Sequence, residues 1–271
     1  MSNCKLVALD LDGTLTNSEK IIPKQNFDAL MRLQRKGVKI VLASGRPKYG
    51  IMKLARQLEL ARYNGYILAY NGAVVIDCAT DEIISSVDLP RQMLPALCSA
   101  AKELGVSILT YDAPRDLILT ETRGDRWIEH EAWLNNQMQI SYVADLNAAA
   151  PEHLPKCLMV ADPDYLSGVE PIVRERFPQL DVYKSSPFFL EIVTKGIDKA
   201  NVLADLVGRL GLSADNVAAF GDGHNDIGMV RYAGLGVAMA NGCDEIKQVA
   251  DFVSTTNDEC GVAYAIEKFG L

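Results

Sequence analysis

Strand and helix signals alternate at both ends of the chain and change rhythm between them, and this pattern restricts the fold more than any other feature. The first part reads as a strand over residues 5–10, a helix over 23–36, a strand over 38–43 and a helix over 47–58. The helix over 23–36 follows from Phe27, Leu30, Met31 and Leu33, which recur at a three-to-four spacing behind Pro23, with Gly37 closing it. A strand over 66–69, a turn at Asn71-Gly72 and short strand-like runs over 74–77 and 83–89 follow; Asn-Gly between apolar runs is a hairpin signal. Alternation resumes with a helix over 198–210, whose buried stripe is Leu203, Leu206, Val207 and Leu210. A strand over 217–220, a helix over 226–232, a strand over 235–240, a helix from Asp244 and a last helix over 261–269 complete it. Repeated strand-helix units of this length imply a parallel sheet flanked by helices, an α/β fold.

Between residues 90 and 186 the order becomes helix, paired strands, helix, paired strands. Residues 107–111 and 117–122 read as one antiparallel pair, and 157–161 with 182–185 as part of another; long helices fall over 91–104 and 164–177, and 144–155 reads as loop. This middle is an α+β unit, so the expected organisation is a core of residues 1–84 and 190–271 interrupted by an inserted domain of residues 85–189. A chain of 271 residues has room for both. Its net charge of −8 and lack of a basic run exclude nucleic acid and anionic membrane as expected partners. The amino terminus lacks the basic start and apolar middle of a signal peptide, and no apolar run approaches the roughly 18 residues of a membrane span. Six scattered cysteines, with no C-x-x-C pair and no His at metal-ligand spacing, read as reduced thiols of a cytoplasmic protein and argue against a thiol nucleophile.

The residues that carry chemistry fall at the carboxyl ends of the expected core strands, where open α/β sheets bind ligands. Asp10-Leu11-Asp12-Gly13-Thr14 sets two carboxylates one residue apart after the apolar run Leu6-Val7-Ala8-Leu9. Ser44-Gly45-Arg46 follows Val41-Leu42-Ala43 and offers a hydroxyl and backbone amides at a helix start, a natural cradle for an oxyanion. Lys199 lies in the first turn of its helix, where the dipole disfavours a cation unless an anion sits beside it. Gly221-Asp222-Gly223-His224-Asn225-Asp226 places two acids and an amide within five residues after Val217-Ala218-Ala219-Phe220, hard oxygen ligands of the kind Mg²⁺ takes. Together they supply a carboxylate nucleophile, a second carboxylate, a hydroxyl, a lysine and an acidic metal loop, the parts that phosphoryl transfer to an aspartate requires.

This ordered set resembles the four motifs of the haloacid dehalogenase superfamily of phosphatases. Tyr70-Asn71-Gly72-Ala73, Phe189-Leu190-Glu191-Ile192, Gly236-Val237-Ala238-Met239 and the run 258–263 are similar to the Cof-type sugar phosphatases of subclass IIB. The resemblance covers nearly the whole chain, most strongly its flanks. It implies a Rossmann-like core with a C2-type cap inserted between Ser44 and Lys199, lidding the site and selecting substrate. It implies Asp10 as nucleophile and Mg²⁺ ligand, and Asp12 as general acid/base, binding Mg²⁺ through its backbone carbonyl. Asp222 would be a direct metal ligand and Asp226 an orienting one. Ser44, Lys199, Asn225 and the backbone at Leu11 would hold the phosphoryl group, with Gly45, Arg46 and Asn71 as further phosphate or substrate contacts. Ser44 stands where many relatives carry Thr, and Ala200 where Gly is frequent; neither change removes a catalytic group. Lys184, Ser185, Ser186, Arg123 and Arg126 are candidate substrate contacts in the inserted domain, and His224 in the metal loop is another.

The reading that follows is a Mg²⁺-dependent phosphatase acting on small phosphorylated metabolites, sugar phosphates first. An aspartate-based ATPase fits less well, since Asp12 supplies the acid that an alkoxide leaving group needs. A phosphosugar mutase would use the same aspartyl-phosphate, and a catalytically idle phosphate-binding module would retain the fold without turnover. The oligomeric state is open at this level.

Overall fold

A computed structural model describes residues 3–271. In chain order the strands are β1 (Leu6–Leu9), β2 (Lys39–Ala43), β3 (Tyr66–Ala69), β4 (Val74–Asp77), β5 (Glu82–Ser86), β6 (Ser107–Asp112) and β7 (Leu117–Thr120). They continue as β8 (Gln139–Tyr142), β9 (Cys157–Val160), β10 (Leu180–Ser186), β11 (Phe189–Thr194), β12 (Val217–Gly221), β13 (Leu235–Ala238) and β14 (Phe252–Val253). The described residues divide into two compact units: residues 3–45, 51–85 and 198–271 form the first, and residues 46–50 and 86–197 the second.

In the first unit eight strands lie in the order β14-β13-β12-β1-β2-β3-β4-β5. The six from β14 to β3 run parallel, and β4 returns antiparallel to β3. From β1 the chain moves outward through β2 and β3, then re-enters at β12 on the opposite side of β1 and moves outward again. This is the doubly wound order, and its reversal lies between β1 and β12. β1 and β12 are buried along their whole length because helices cover both faces of a parallel sheet, and both are accordingly apolar throughout. One face packs Leu6, Ala8, Val41, Ala43 and Leu68 against Leu203, Leu206 and Val207 of the helix Lys199–Arg209. The β3–β4 hairpin forms at Asn71-Gly72, with Tyr70, Asn71 and Gly72 all at positive φ.

The second unit carries six strands in the order β10-β11-β9-β6-β7-β8. β6 and β7 pair antiparallel, the partnership expected from the sequence. β9 does not pair with β10. It lies between β11 and β6, and β10 pairs only with β11, at the sheet margin. Burial explains the arrangement: β11 is almost wholly buried, whereas Lys184 and Ser185 of β10 are exposed, which suits an edge. Residue 190, the expected return to the core, therefore falls inside one strand of this second sheet. The expected loop over 144–155 contains a short helix, Leu146–Ala149, capped by Asp145, whose carboxylate accepts from the Asn147 amide at 2.9 Å. No helix among the described residues is long and apolar enough to cross a membrane.

Candidate active site

β1 stops at Leu9 because the next residues turn, and the turn brings Asp10 to the reversal point of the sheet. The Asp10 amide donates to the Phe220 carbonyl at 3.0 Å, which ties the first residue beyond β1 to β12. Asp10 is only 7% exposed. The following turn is held by the Leu11 carbonyl, which accepts from the Thr16 hydroxyl and amide, both at 2.9 Å. Gly13 has φ +83°, and a Cβ there would lie 2.4 Å from Asp222 Oδ2, so glycine is required both by the backbone and by the approach of the second acidic loop.

Lys199 begins the helix Lys199–Arg209 behind its cap Asp198, yet its side chain is 0% exposed. Its ammonium donates to Asp10 Oδ1 at 2.6 Å and to Asp226 Oδ1 at 2.7 Å. The other Asp226 oxygen accepts from the amides of Asp222 at 3.1 Å and Gly223 at 3.0 Å, closing the loop after β12 upon itself. Asp222 takes the Thr14 hydroxyl at 2.6 Å. A buried lysine at a helix start would be doubly unfavourable alone, and two carboxylates reverse that cost. Burial, the largest single influence, works to lower the Lys199 pKa, but Asp10 and Asp226 outweigh it and hold the ammonium above its usual range. Burial pushes Asp10 well above the ordinary carboxyl range, reinforced by the charge of Asp226 and opposed by Lys199. Burial likewise raises Asp222 to about 6, against the Thr14 hydrogen bond and with Asp226.

Asp10, Asp222 and Asp226 place one carboxylate oxygen each within 4.8 Å of the others. Lys199 balances one of these three charges, and a divalent cation would balance the other two. The donors are all hard oxygens on short side chains, so the set fits Mg²⁺ in chemistry and charge.

Asp12 is more open than the members of this cluster, and Lys20 pairs with its Oδ1 at 2.7 Å. Ser44 is buried at the end of β2; its amide donates to Leu68 O and its carbonyl accepts from the Asn71 amide, both at 2.9 Å. Gly45 follows with the Asn71 side chain so near that a Cβ would meet it at 3.2 Å. Asn225 Nδ2 donates to Asn71 Oδ1 at 3.0 Å, joining the loops after β3 and β12. Asp10, Leu11, Asp12, Ser44, Gly45, Asn71, Lys199, Asp222, Asn225 and Asp226 thus all belong to loops or helix starts of the first unit. Arg46 opens the segment 46–50 grouped with the second unit, and its guanidinium donates to the Gly50 carbonyl at 3.4 Å.

Within the second unit, the Lys184 ammonium donates to Ser167 Oγ at 2.9 Å and Ser185 Oγ donates to Glu191 at 2.9 Å. Arg126 pairs with Asp162, and the Arg123 guanidinium lies 4.7 Å from the centre of the Tyr142 ring. Two supporting residues were not singled out from sequence. Asn241 donates to the Gly13 carbonyl at 2.8 Å, and Asn257 donates to Thr16 O at 2.9 Å while its amide donates to Asn241 Oδ1 at 2.9 Å. Asn241 stands before a glycine and reads locally as turn punctuation, so only its placement reveals the brace.

A doubly wound sheet with buried carboxylates and a buried lysine at its reversal point defines an α/β enzyme that handles an anionic group beside a cation. The chain belongs to the haloacid dehalogenase-like hydrolases, whose sequence profile matches residues 7–266. It is 31% identical, over 98% of its own length and 96% of the relative's, to the 5-amino-6-(5-phospho-D-ribitylamino)uracil phosphatase YcsE of Bacillus subtilis. A solved haloacid dehalogenase-like hydrolase from Bacteroides thetaiotaomicron superposes with a TM-score of 0.93 at 43% identity, covering 98% of this chain and 99% of that one. The fold also recurs in a solved subclass IIB sugar phosphatase, BT4131, with a TM-score of 0.80 at 24% identity over 98% and 99% of the two chains.

Proposed function

We propose that this chain, a phosphoric monoester hydrolase of the haloacid dehalogenase family, cleaves small phosphate monoesters, sugar phosphates foremost, in a Mg²⁺-dependent reaction through Asp10. The observation that carries the reading is the fully buried Lys199 ammonium, held 2.6 Å from Asp10 Oδ1. An anion can attack a phosphate dianion only where positive charge and amides neutralise the phosphoryl oxygens, and Lys199 fixes such a charge beside the attacking group.

In this reading a carboxylate oxygen of Asp10 attacks phosphorus and the ester P–O bond breaks, leaving an aspartyl-phosphate. Asp12 gives its proton to the departing alkoxide, then takes one from the water that attacks the same phosphorus, so that phosphate leaves and Asp10 is restored. Ser44, Gly45, Asn71, Asn225 and the backbone at Leu11 bind the phosphoryl oxygens or adjoining substrate, with Arg46, next in sequence, a further candidate. Asp10, Asp222, Asp226 and the Asp12 carbonyl would hold Mg²⁺, which when bound offsets the charge of carboxylates and phosphate. The inserted unit, residues 86–197, would act as a substrate-selecting C2-type cap. The relative named as a 5-amino-6-(5-phospho-D-ribitylamino)uracil phosphatase supports a small organic phosphate as substrate. A cytoplasmic location, suited to reduced thiols and phosphorylated metabolites, completes the proposal.

The test is phosphate release from sugar phosphates, nucleotides, pyridoxal phosphate, flavin mononucleotide and a ribitylaminouracil phosphate, with Mg²⁺ or with chelator. We expect Mg²⁺-dependent release that falls by at least about 10³-fold in Asp10→Asn, which keeps the side-chain volume but lacks the nucleophilic oxygen pair. Turnover retained in that variant overturns the role of Asp10. Isomerised hexose phosphate without free phosphate would instead identify a mutase.

A further inference from the structure

A second ligand cluster lies in the first unit, on the side chains that follow Asp222 and Gly242. His224, Cys243 and Glu245 each bring one donor atom within 4.8 Å of the other two. His224 is exposed in the single turn His224–Asp226; Cys243 precedes the helix Asp244–Val249, and Glu245 lies in its first turn. Cys243 Sγ stands 3.9 Å from His224 Nδ1. Sequence spacing concealed the pair, since 19 positions separate the two residues.

Cys243 occupies a helix cap position, where Ser, Thr, Asp or Asn would serve, and its side chain makes no capping hydrogen bond. Its thiol is half-buried beside the imidazole instead. The Cys243 amide donates to the Asp222 carbonyl at 3.0 Å, which fixes the thiol against the loop that carries His224. One backbone hydrogen bond thus joins the two segments, and three unlike donors lie close together.

We propose that His224, Cys243 and Glu245 form a Zn²⁺ site separate from the Asp10, Asp222 and Asp226 cluster, with solvent as the fourth ligand. Tetrahedral zinc with ordinary Zn–S and Zn–N bonds sets sulfur and nitrogen about 3.6 Å apart. The observed 3.9 Å is a few tenths longer, a difference that rotation of the exposed His224 side chain closes. Nitrogen, sulfur and oxygen together select a borderline cation, whereas the all-oxygen cluster selects a hard one, so the two sites sort their ions by donor chemistry. On binding, the thiol S–H bond is replaced by S–Zn and its proton passes to water; thiolate and carboxylate then balance the two positive charges. The site would tie residue 224, between Asp222 and Asn225, to the helix Asp244–Val249.

Cobalt(II) tests this as a spectroscopic substitute for zinc, added to the metal-stripped full-length protein in excess Mg²⁺. Thiolate ligation produces a near-ultraviolet sulfur-to-cobalt charge-transfer band that an oxygen-only site cannot. We expect the band to saturate at one equivalent, to vanish on addition of Zn²⁺ and to be missing in Cys243→Ser. In His224→Ala, half-saturation should need at least about tenfold more cobalt. Thermal melts of both variants establish that they are folded. Absence of the band in the wild type, its persistence in folded Cys243→Ser, or an unchanged titration in His224→Ala overturns the site. None of these readouts depends on phosphatase turnover, so failure here and failure of the proposed reaction are separable.

Discussion

Lys199 shows how one side chain binds stability to chemistry. Its ammonium is buried, and both carboxylates that it touches, Asp10 and Asp226, are buried as well. Removing one partner of such a group leaves charge without compensation, which costs roughly 3–5 kcal/mol, whereas the intact group contributes far less net stability. Lys199→Met, similar in length and apolar, should therefore destabilise the metal-free protein by about that amount in a denaturant titration. It should also lower kcat by about 10²- to 10³-fold, as loss of a fixed positive charge beside a developing anion does. A variant that keeps wild-type kcat would remove Lys199 from the chemistry, whatever its stability. Asp12 differs in kind: it is partly open, paired with Lys20 and outside the buried cluster, so Asp12→Asn should spare stability while costing about 10²- to 10⁴-fold in turnover, measured by the same assays.

The helix Lys199–Arg209 owes its start to Asp198, whose carboxylate accepts from the Asn201 amide at 2.7 Å. Loss of that cap in Asp198→Ala should cost about 1 kcal/mol and lower the thermal midpoint by roughly 2–4 °C, while Asp198→Asn, which still accepts, should hold most of it. Equal losses in the two variants would assign the effect to charge at the helix end and not to the cap. This helix was legible in the sequence because Leu203, Leu206 and Val207 repeat on one face and are buried as that repeat requires. The helix Arg126–Leu134 and strand β8 were not. Glu131 of that helix faces inward, taking the Tyr111 hydroxyl at 2.6 Å and the Asn135 side-chain amide at 2.7 Å, so a residue that reads as surface lies in the interior. β8 is only partly buried and carries Gln139 and Ser141, which breaks the apolar signature of a strand. The same limit applies at the site: the spacing of Asp10 and Asp12 and the loop over 221–226 were visible, because short motifs fall within one turn of chain. The braces from Asn241 and Asn257, and the meeting of His224 with Cys243, join segments distant in sequence, and no local pattern encodes them.

Across the whole molecule, an excess of eight negative charges and three clustered carboxylates make pH and divalent cations joint determinants of stability. Asp222 is the clearest contributor. Its folded pKa is about 6, above its ordinary value, so the folded state binds the proton more tightly than the unfolded chain does. Its contribution therefore favours folding at pH below the ordinary value and weakens it as pH rises toward 6, with the full penalty present above that. A bound divalent cation needs Asp222 ionised and removes the penalty, so proton and cation compete for it. The cation-induced rise in thermal midpoint should accordingly be larger at pH 7.5 than at pH 5. At a Mg²⁺ concentration a hundredfold above its dissociation constant the stabilisation is about 2.7 kcal/mol, roughly 5 to 10 °C for a protein of this size. The probe matters, because both tryptophans, Trp127 and Trp133, lie in the second unit and the cluster in the first. Tryptophan fluorescence would follow the wrong unit, whereas far-ultraviolet circular dichroism follows the helices of both. A Mg²⁺ shift equal at the two pH values would show that Asp222 is not the group for which proton and cation compete. A complete lack of shift at pH 7.5 would remove the cation from this cluster.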